Sequence, residues 1–152
     1  MLQVGNAGLS LDEARSHFFA WAVVAAPLLI SADVVSGLDA DSLAILTAPE
    51  VIQVSQDALG VQGVRVSARN ASGSECWARP LADGGVAALL LNRALGSADA
   101  TCTWQELGLK APAAPAKVRD LWAREDLGSF TGAFTAKGLA GHASMLVKVT
   151  QG

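Results

Sequence analysis

Three aspartates stand where a carboxylate could act as an acid, a base or a nucleophile. Asp33 directly follows the short apolar run 28–32. The carboxyl end of such a buried strand is where barrel enzymes place their reactive groups. Asp39 and Asp41 imitate a carboxylate pair, but a position at the start of a predicted helix explains them better as capping residues. Asp33 is therefore the one carboxylate that the sequence places at a site of this kind.

Cysteines and histidines are too few for most other site chemistry. Cys76 and Cys102 lie in two predicted strands, where they could form a disulfide or remain buried thiols, and both alternatives stay open. With only His17 and His142 to add, we expect no zinc site, and we predict neither a metal nor a cofactor. No G-x-S-x-G turn is present to expose a serine nucleophile.

The first sixty residues carry the signals of an α/β fold. Residues 1–6 and 28–32 are predicted as two parallel strands, and the short apolar run 28–32 suits a strand buried on both faces. Between them, Ser10 and Glu13 form a capping box that predicts the start of a helix, and Pro27 ends it. Two further helices are predicted, over residues 39–46 and 49–54. A strand, a helix and a strand with nothing before them indicate that the chain starts inside a domain.

The pattern changes after Gly63, where short apolar runs alternate with turns. Asp83 and Gly84 predict a tight hairpin turn, because this pair tolerates the positive φ angles that such turns require. Strands are predicted over residues 75–81, 86–92, 100–104, 118–122, 129–135 and 144–150. Several short strands separated by turns are typical of an antiparallel β-sandwich.

Composition excludes several classes of protein. The chain has 152 residues, too few for a complete α/β barrel of about 250 residues. Its 11 basic and 14 acidic residues are spread along the sequence, and the net charge of -3 argues against a nucleic-acid partner. The apolar run 18–30 is interrupted by Pro27 and is shorter than the roughly 20 residues of a membrane span. We find no signal peptide, and the sequence does not determine the localisation.

Short motifs that recur together in one enzyme family follow one another along nearly the whole chain. They include Met1-Leu2-x-Val4-Gly5-Asn6, Ala26-Pro27-Leu28-Leu29-Ile30, Gln56-Asp57-x-Leu59-Gly60, Trp77-x-Arg79-Pro80-Leu81 and Leu91-Asn92-Arg93. In this order they resemble the C-terminal half of the α-galactosidases of glycoside hydrolase family 27, the melibiase type. The resemblance implies an α/β (TIM) barrel followed by an all-β antiparallel sandwich. Residues 1–62 would be the last two strand-helix units of the barrel, and residues 63–152 the sandwich.

The same resemblance implies a function and a site. Family members hydrolyse terminal α-linked galactose with retention, so α-galactoside sugars are the expected ligands of the full-length enzyme. Both catalytic aspartates of the family lie upstream of the matched segment, so we assign no catalytic residue here and expect this fragment to be inactive alone. Met1 matches a methionine that lines the sugar pocket, and Asp33 is expected near the pocket floor. The family has Asp-Pro-Asp before that methionine, which indicates a truncated chain.

Two other functions remain open. The first is a non-catalytic carbohydrate-binding or structural module built on the sandwich, in which Trp77, Trp104 and Trp122 could offer aromatic faces to sugar rings, although core packing explains them better. The second is a piece that completes a barrel supplied by another chain. Homo-oligomerisation is also left open. Asn70 begins a glycosylation sequon, which matters only in a secreted protein.

The predicted first helix carries a wide apolar stripe that includes Phe18, Trp21 and Ala22. In a complete barrel, neighbouring helices and strands would cover such a stripe. We therefore expect residues 1–60 to dock loosely, while residues 63–152 fold.

Overall fold

The computed structural model describes residues 1–67 and 73–152. Within these ranges the chain has three helices and eight strands. The helices are α1 Leu11–Val23, α2 Ala40–Leu46 and α3 Pro49–Ser55. The strands are β1 Val64–Arg65, β2 Ser74–Pro80, β3 Val86–Asn92, β4 Ala98–Thr103, β5 Pro115–Asp120, β6 Glu125–Thr131, β7 Ala133–Leu139 and β8 Ser144–Thr150. The sequon predicted at Asn70 lies outside the described residues.

The helix starts are those that the sequence predicts. Ser10 caps α1 through a reciprocal pair of hydrogen bonds, in which its hydroxyl accepts from the Glu13 N–H and its own N–H donates to the Glu13 carboxylate. Asp39 caps α2, which confirms its role as a capping residue. Pro49 occupies the first turn of α3, where its missing N–H costs nothing.

The two strands predicted in the first part are reduced to one contact. Leu2 and Ile30 form an isolated parallel bridge, and the Leu2 N–H donates to the Leu29 carbonyl at 2.7 Å. Residues 3–6 and 31–32 do not continue this pairing. Of the parallel strand pair expected in an α/β fold, the described residues therefore keep one bridge, which joins the segment before α1 to the segment after it.

The second part is a sandwich of two antiparallel sheets. In the described residues, the large sheet has the order β1-β2-β3-β8-β5-β6, and the small sheet pairs β4 with β7. The predicted hairpin of β2 and β3 is confirmed, with Pro80 opposite Val86. Its turn is longer than predicted, since residues 81–85 connect the strands, and of the Asp83-Gly84 pair only Gly84 has a positive φ, of 84°. A disulfide joins Cys76 of β2 to Cys102 of β4, with their Cα atoms 5.4 Å apart. This bond, buried beside Trp104, fastens one sheet to the other.

Two strand predictions are wrong in their bounds. The segment 129–135 is not one strand, because Gly132, with φ of 78°, breaks it between β6 and β7. The two strands then belong to different sheets. The strand predicted over 118–122 begins earlier, at Pro115, and ends at Asp120. A turn that moves the chain from one sheet to the other leaves the apolar alternation nearly unchanged, so the pattern alone does not reveal it.

Helix α1 packs on the outer face of the large sheet. Phe18, Phe19 and Val23 are each almost fully buried, in a core that also contains Leu89 of β3 and Leu146 of β8. The expectation that the α1 stripe would lose its cover is therefore wrong for most of its residues, because the sandwich supplies an apolar face. Whether residues 1–60 dock loosely remains a prediction.

The tryptophans lie in these cores. Trp104 is fully buried inside the sandwich, and its indole N–H donates to the Phe130 carbonyl. Trp77 and Trp122 are partly buried against the core beneath α1. A fully buried ring has no face for a sugar, so this placement favours packing over an aromatic binding platform.

Arg79 of β2 connects the sandwich to two helices. Only 1% of its surface is exposed, and its guanidinium donates to the Ala22 carbonyl at 2.6 Å and to the Ser55 carbonyl at 3.3 Å. These carbonyls lie at the carboxyl ends of α1 and α3, where helices leave acceptors unpaired. Burial lowers the pKa of Arg79, and the nearby Asp57 carboxylate opposes that shift.

Gly63 marks the tightest crossing between the helices and the sandwich. Its N–H donates to the Val23 carbonyl at 2.9 Å, and a Cβ atom there would lie 2.5 Å from that same oxygen. We expect Gly63→Ala to lower the free energy of unfolding by about 1–3 kcal/mol, the typical cost of overpacking. Urea denaturation measures this. Gly96→Ala is the matched control, because a Cβ at Gly96 meets nothing within 4 Å. Equal stability of the two variants would contradict a close contact between Gly63 and Val23.

Glu13 makes stability depend on pH where α1 meets the sandwich. The Ser10 backbone N–H, followed by the His142 side chain, lowers the pKa of Glu13 from 4.5 to about 2. A depressed pKa in the folded state stabilises the protein above pH 4.5, and the contribution disappears as the pH falls towards 2. As the pH falls from 4.5 to about 2, we expect the stability of Glu13→Gln to decrease less than that of the parent. The urea midpoint at each pH measures this. Glu125→Gln, at an exposed position, should behave as the parent does.

Candidate functional site

The candidate site surrounds the parallel bridge between Leu2 and Ile30. Polar groups hold the two segments together there. The Ser31 hydroxyl donates to the Leu2 carbonyl at 2.5 Å, and the Asn6 side-chain amide donates to the Ser31 Oγ at 2.8 Å. The same amide donates to Gln3 at 3.0 Å. This network has no signal in the sequence, because Asn6 and Ser31 are 25 residues apart and form no recognisable motif.

Asp33 lies in the turn that follows the bridge. Its carboxylate accepts from the Val35 N–H at 2.9 Å, from the Ser36 N–H at 3.1 Å and from the Ser36 hydroxyl at 2.7 Å. Hydrogen bonds from the Ser36 side chain and backbone, then from Val35, lower the pKa of Asp33. The group is therefore an ionised hydrogen-bond acceptor at neutral pH, and it is exposed to solvent. An ionised carboxylate with these partners is poorly suited to donate a proton.

Met1 lies on the other side of the bridge along the chain. It precedes Leu2, which pairs with Ile30, whereas Asp33 comes three residues after Ile30. The Met1 side chain is 66% exposed. The bridge thus places the two predicted residues in one region of the fold, on opposite sides of the pairing. Their contact with a sugar remains a prediction.

A polar depression of about 320 Å³ lies next to this region. Asn6 and Ser10 line one side, and Asp39 and Asp41 of α2 line the other. The Asp39 carboxylate is occupied as the cap of α2, since it accepts from the Ser42 N–H and hydroxyl. Hydrogen bonds from Ser42 also lower the pKa of Asp39. Of the two carboxylates that line the depression, Asp39 therefore has a structural role as the cap of α2.

The described ranges, 1–67 and 73–152, contain no group of three or more His, Cys, Asp or Glu side chains that could hold a metal ion. No helix in the same ranges is both long and apolar enough to cross a bilayer.

Known proteins match nearly the whole chain. Residues 1–57 match the family model described as alpha galactosidase A, and residues 71–149 match the alpha galactosidase C-terminal beta sandwich domain. Alpha-galactosidase of Coffea arabica is 41% identical over 151 residues, which are 99% of this chain and 39% of that protein. Alpha-galactosidase of Cyamopsis tetragonoloba is 38% identical over 150 residues, which are 99% of this chain and 35% of that protein.

The solved structure of alpha-galactosidase I from Mortierella vinacea has the same fold. It superposes with a TM-score of 0.90 at 28% identity, over 99% of this chain and 38% of that one. The fold is a part of an α/β barrel followed by an antiparallel sandwich, and the chain spans 35–39% of the length of these relatives. The two family matches, in this order, show that the chain belongs to the alpha-galactosidase family and corresponds to its C-terminal region.

Proposed function

We propose that this chain is the C-terminal part of an enzyme that hydrolyses terminal α-linked galactose with retention. The observation that carries the proposal is the match of two consecutive family models to the two parts of one chain. The relatives compared above are named alpha-galactosidases, so galactosides are the proposed substrates. In this proposal residues 1–62 complete a barrel and residues 63–152 form the sandwich.

The catalytic carboxylates of this enzyme would lie outside the present chain. Retaining hydrolysis needs two carboxyl groups about 5–5.5 Å apart, one as nucleophile and one as acid and base. In the part of the chain that the structure describes, the Asp33 carboxylate accepts hydrogen bonds from Val35 and Ser36. It suits a different role, in which it accepts hydrogen bonds from sugar hydroxyls. Met1 would offer an apolar wall to the same sugar.

A chimeric enzyme tests the role of Asp33. This chain replaces the matching segment of the Coffea arabica relative, and turnover of an aryl α-galactoside is measured. We expect an active chimera in which Asp33→Ala raises KM roughly tenfold or more, because a hydrogen bond to a charged group contributes about 1.5–3 kcal/mol. Asp41→Ala, at an exposed position in α2, is the matched control.

Two results would contradict the proposal. Turnover by this chain alone, purified free of host hydrolases, would show that the catalytic pair lies within it. A chimera in which Asp33→Ala and Asp41→Ala have the same KM would remove Asp33 from the sugar site.

A further inference from the structure

We propose that a cleft between α1 and the sandwich binds a small anionic group, a sulfate, a phosphate or a carboxylate. This α1 cleft has a volume of about 390 Å³ and is separate from the bridge region described above. Its polar lining comes from three parts of the fold: Glu13, Ser16 and His17 of α1, Asn92 and Arg93 at the end of β3, and His142 between β7 and β8.

His17 supplies a neutral N–H donor. Its Nε2 atom accepts from the Gln3 N–H at 3.1 Å, so the ring carries its proton on Nδ1. Burial lowers the pKa of His17, and the positive chain terminus acts in the same direction. The ring therefore remains neutral near pH 7, and its Nδ1–H has no partner among the described residues. Such a donor binds an anion without carrying a charge itself.

Arg93 supplies a permanent cation. One guanidinium nitrogen donates to the buried Glu75 carboxylate at 3.0 Å, which fixes the side chain at the end of β3. The side chain is still 66% exposed, so the rest of the planar fork faces solvent. Arginine forks match the geometry of carboxylate and phosphate oxygens.

His142 closes the cleft on the side of the sandwich. Its Nδ1 atom contacts the Glu13 carboxylate at 2.8 Å, and its backbone carbonyl accepts from the Ser16 hydroxyl at 2.7 Å. A carboxylate accepts only, so Nδ1 carries the proton. The His142 ring therefore occupies the carboxylate that would otherwise repel an incoming anion.

The charged groups around the cleft leave room for an anion. On α1 these are Glu13 and His17, and at the end of β3 there is Arg93. Glu13 is the one carboxylate lining the cleft in the described residues, and its oxygens are occupied by the Ser10 N–H and the His142 ring. The Glu75 carboxylate lies behind Arg93 and is also held by Arg65 and by the Trp77 indole. An incoming anion therefore meets donors rather than an unpaired carboxylate.

Titration calorimetry on the full chain, at constant ionic strength, tests the proposal. Sodium sulfate is the first probe, and galacturonate with galactose as neutral control is the second. Tryptophan fluorescence gives an independent signal, since the centroids of the His17 and Trp21 rings lie 4.2 Å apart. We expect saturable binding of sulfate and no saturable binding of neutral galactose at this cleft.

Two substitutions separate the donors. Arg93→Gln should weaken binding about tenfold, and His142→Ala, which leaves the Glu13 carboxylate without its ring partner, should also weaken it. Lys110→Gln removes a positive charge from an exposed loop and should leave the affinity unchanged. If Arg93→Gln does not fold because Glu75 loses its partner, Arg93→Lys keeps that charge but loses the fork and should still weaken binding.

Each outcome either identifies the kind of anion that binds or overturns the proposed site. Sulfate binding as tight as galacturonate binding would indicate a free anion, and tighter galacturonate binding would indicate an acidic group on a sugar. No saturable binding of either probe would overturn the proposal, as would affinities unchanged by both substitutions. These measurements do not use galactosidase activity, so a failure of the proposed function leaves them interpretable.

Discussion

Arg79→Ala should lower the free energy of unfolding by about 3–5 kcal/mol, the larger of the effects we expect. The substitution removes two charge-assisted hydrogen bonds, each of which contributes about 1.5–3 kcal/mol, although desolvation of the guanidinium offsets part of this. It also leaves the Ala22 and Ser55 carbonyls without their buried donor. Urea denaturation of the full chain, followed by tryptophan fluorescence and far-ultraviolet circular dichroism, measures the change.

Two comparison variants make the Arg79 result specific. Lys110→Ala shortens an exposed cation and should stay within about 0.5 kcal/mol of the parent. In Arg79 the single nitrogen Nη1 donates to both carbonyls. Arg79→Lys keeps a positive charge but loses the planar guanidinium, and its stability should fall between those of Arg79→Ala and the parent. A loss below about 1 kcal/mol for Arg79→Ala would mean that Arg79 does not hold the helices to the sandwich.

Removal of the disulfide between Cys76 and Cys102 should cost about 3–4 kcal/mol. The bond closes a loop with a sequence separation of 26 residues, and the chain-entropy model gives this loss for a loop of that length. The double variant Cys76→Ala, Cys102→Ala, compared with the parent in urea, measures it. Because each alanine also leaves a small space in the buried sandwich core, the loss could exceed the entropic value.

A reducing agent provides the control for the disulfide. It should destabilise the parent by a similar amount and leave the double variant unchanged. Thiol titration of the unfolded parent, without reductant, should detect no free cysteine. Two free thiols would contradict the bond.

Local signals in the sequence were sufficient where structure depends on neighbouring residues. The capping box of Ser10 and Glu13, the cap at Asp39 and the proline at the start of α3 each involve groups within about four residues. The turn between β2 and β3 also depends on residues that are close together in sequence. These elements could be predicted because the hydrogen bonds that define them form within one turn of chain.

Sheet assignment could not be predicted in the same way. Gly132 separates β6 from β7, but the alternation of apolar and polar residues continues across it. Which sheet each strand joins depends on contacts such as Cys102 with Phe134, far apart in sequence. Similarly, the apolar stripe on α1 predicts that another element packs against it. The spacing of apolar residues does not identify that element as the face formed by β3 and β8.

The candidate sites follow the same division. Asp33 could be predicted because a strand-like run precedes it, although its contact with a sugar remains a prediction. The α1 cleft could not, since His142 and Glu13 are 129 residues apart. No short motif joins them, and only the packing of α1 on the sandwich brings them together.

The core beneath α1 also limits how such a protein can be rearranged in evolution. Leu89 and Leu146 lie outside the sandwich interior, in the buried core that also contains Phe18 and Phe19. A sandwich exchanged between two relatives would bring an outer face shaped for a different helix. Recombination that respects this fit must move α1 together with the sheet, so the inherited unit crosses the apparent border between barrel and sandwich.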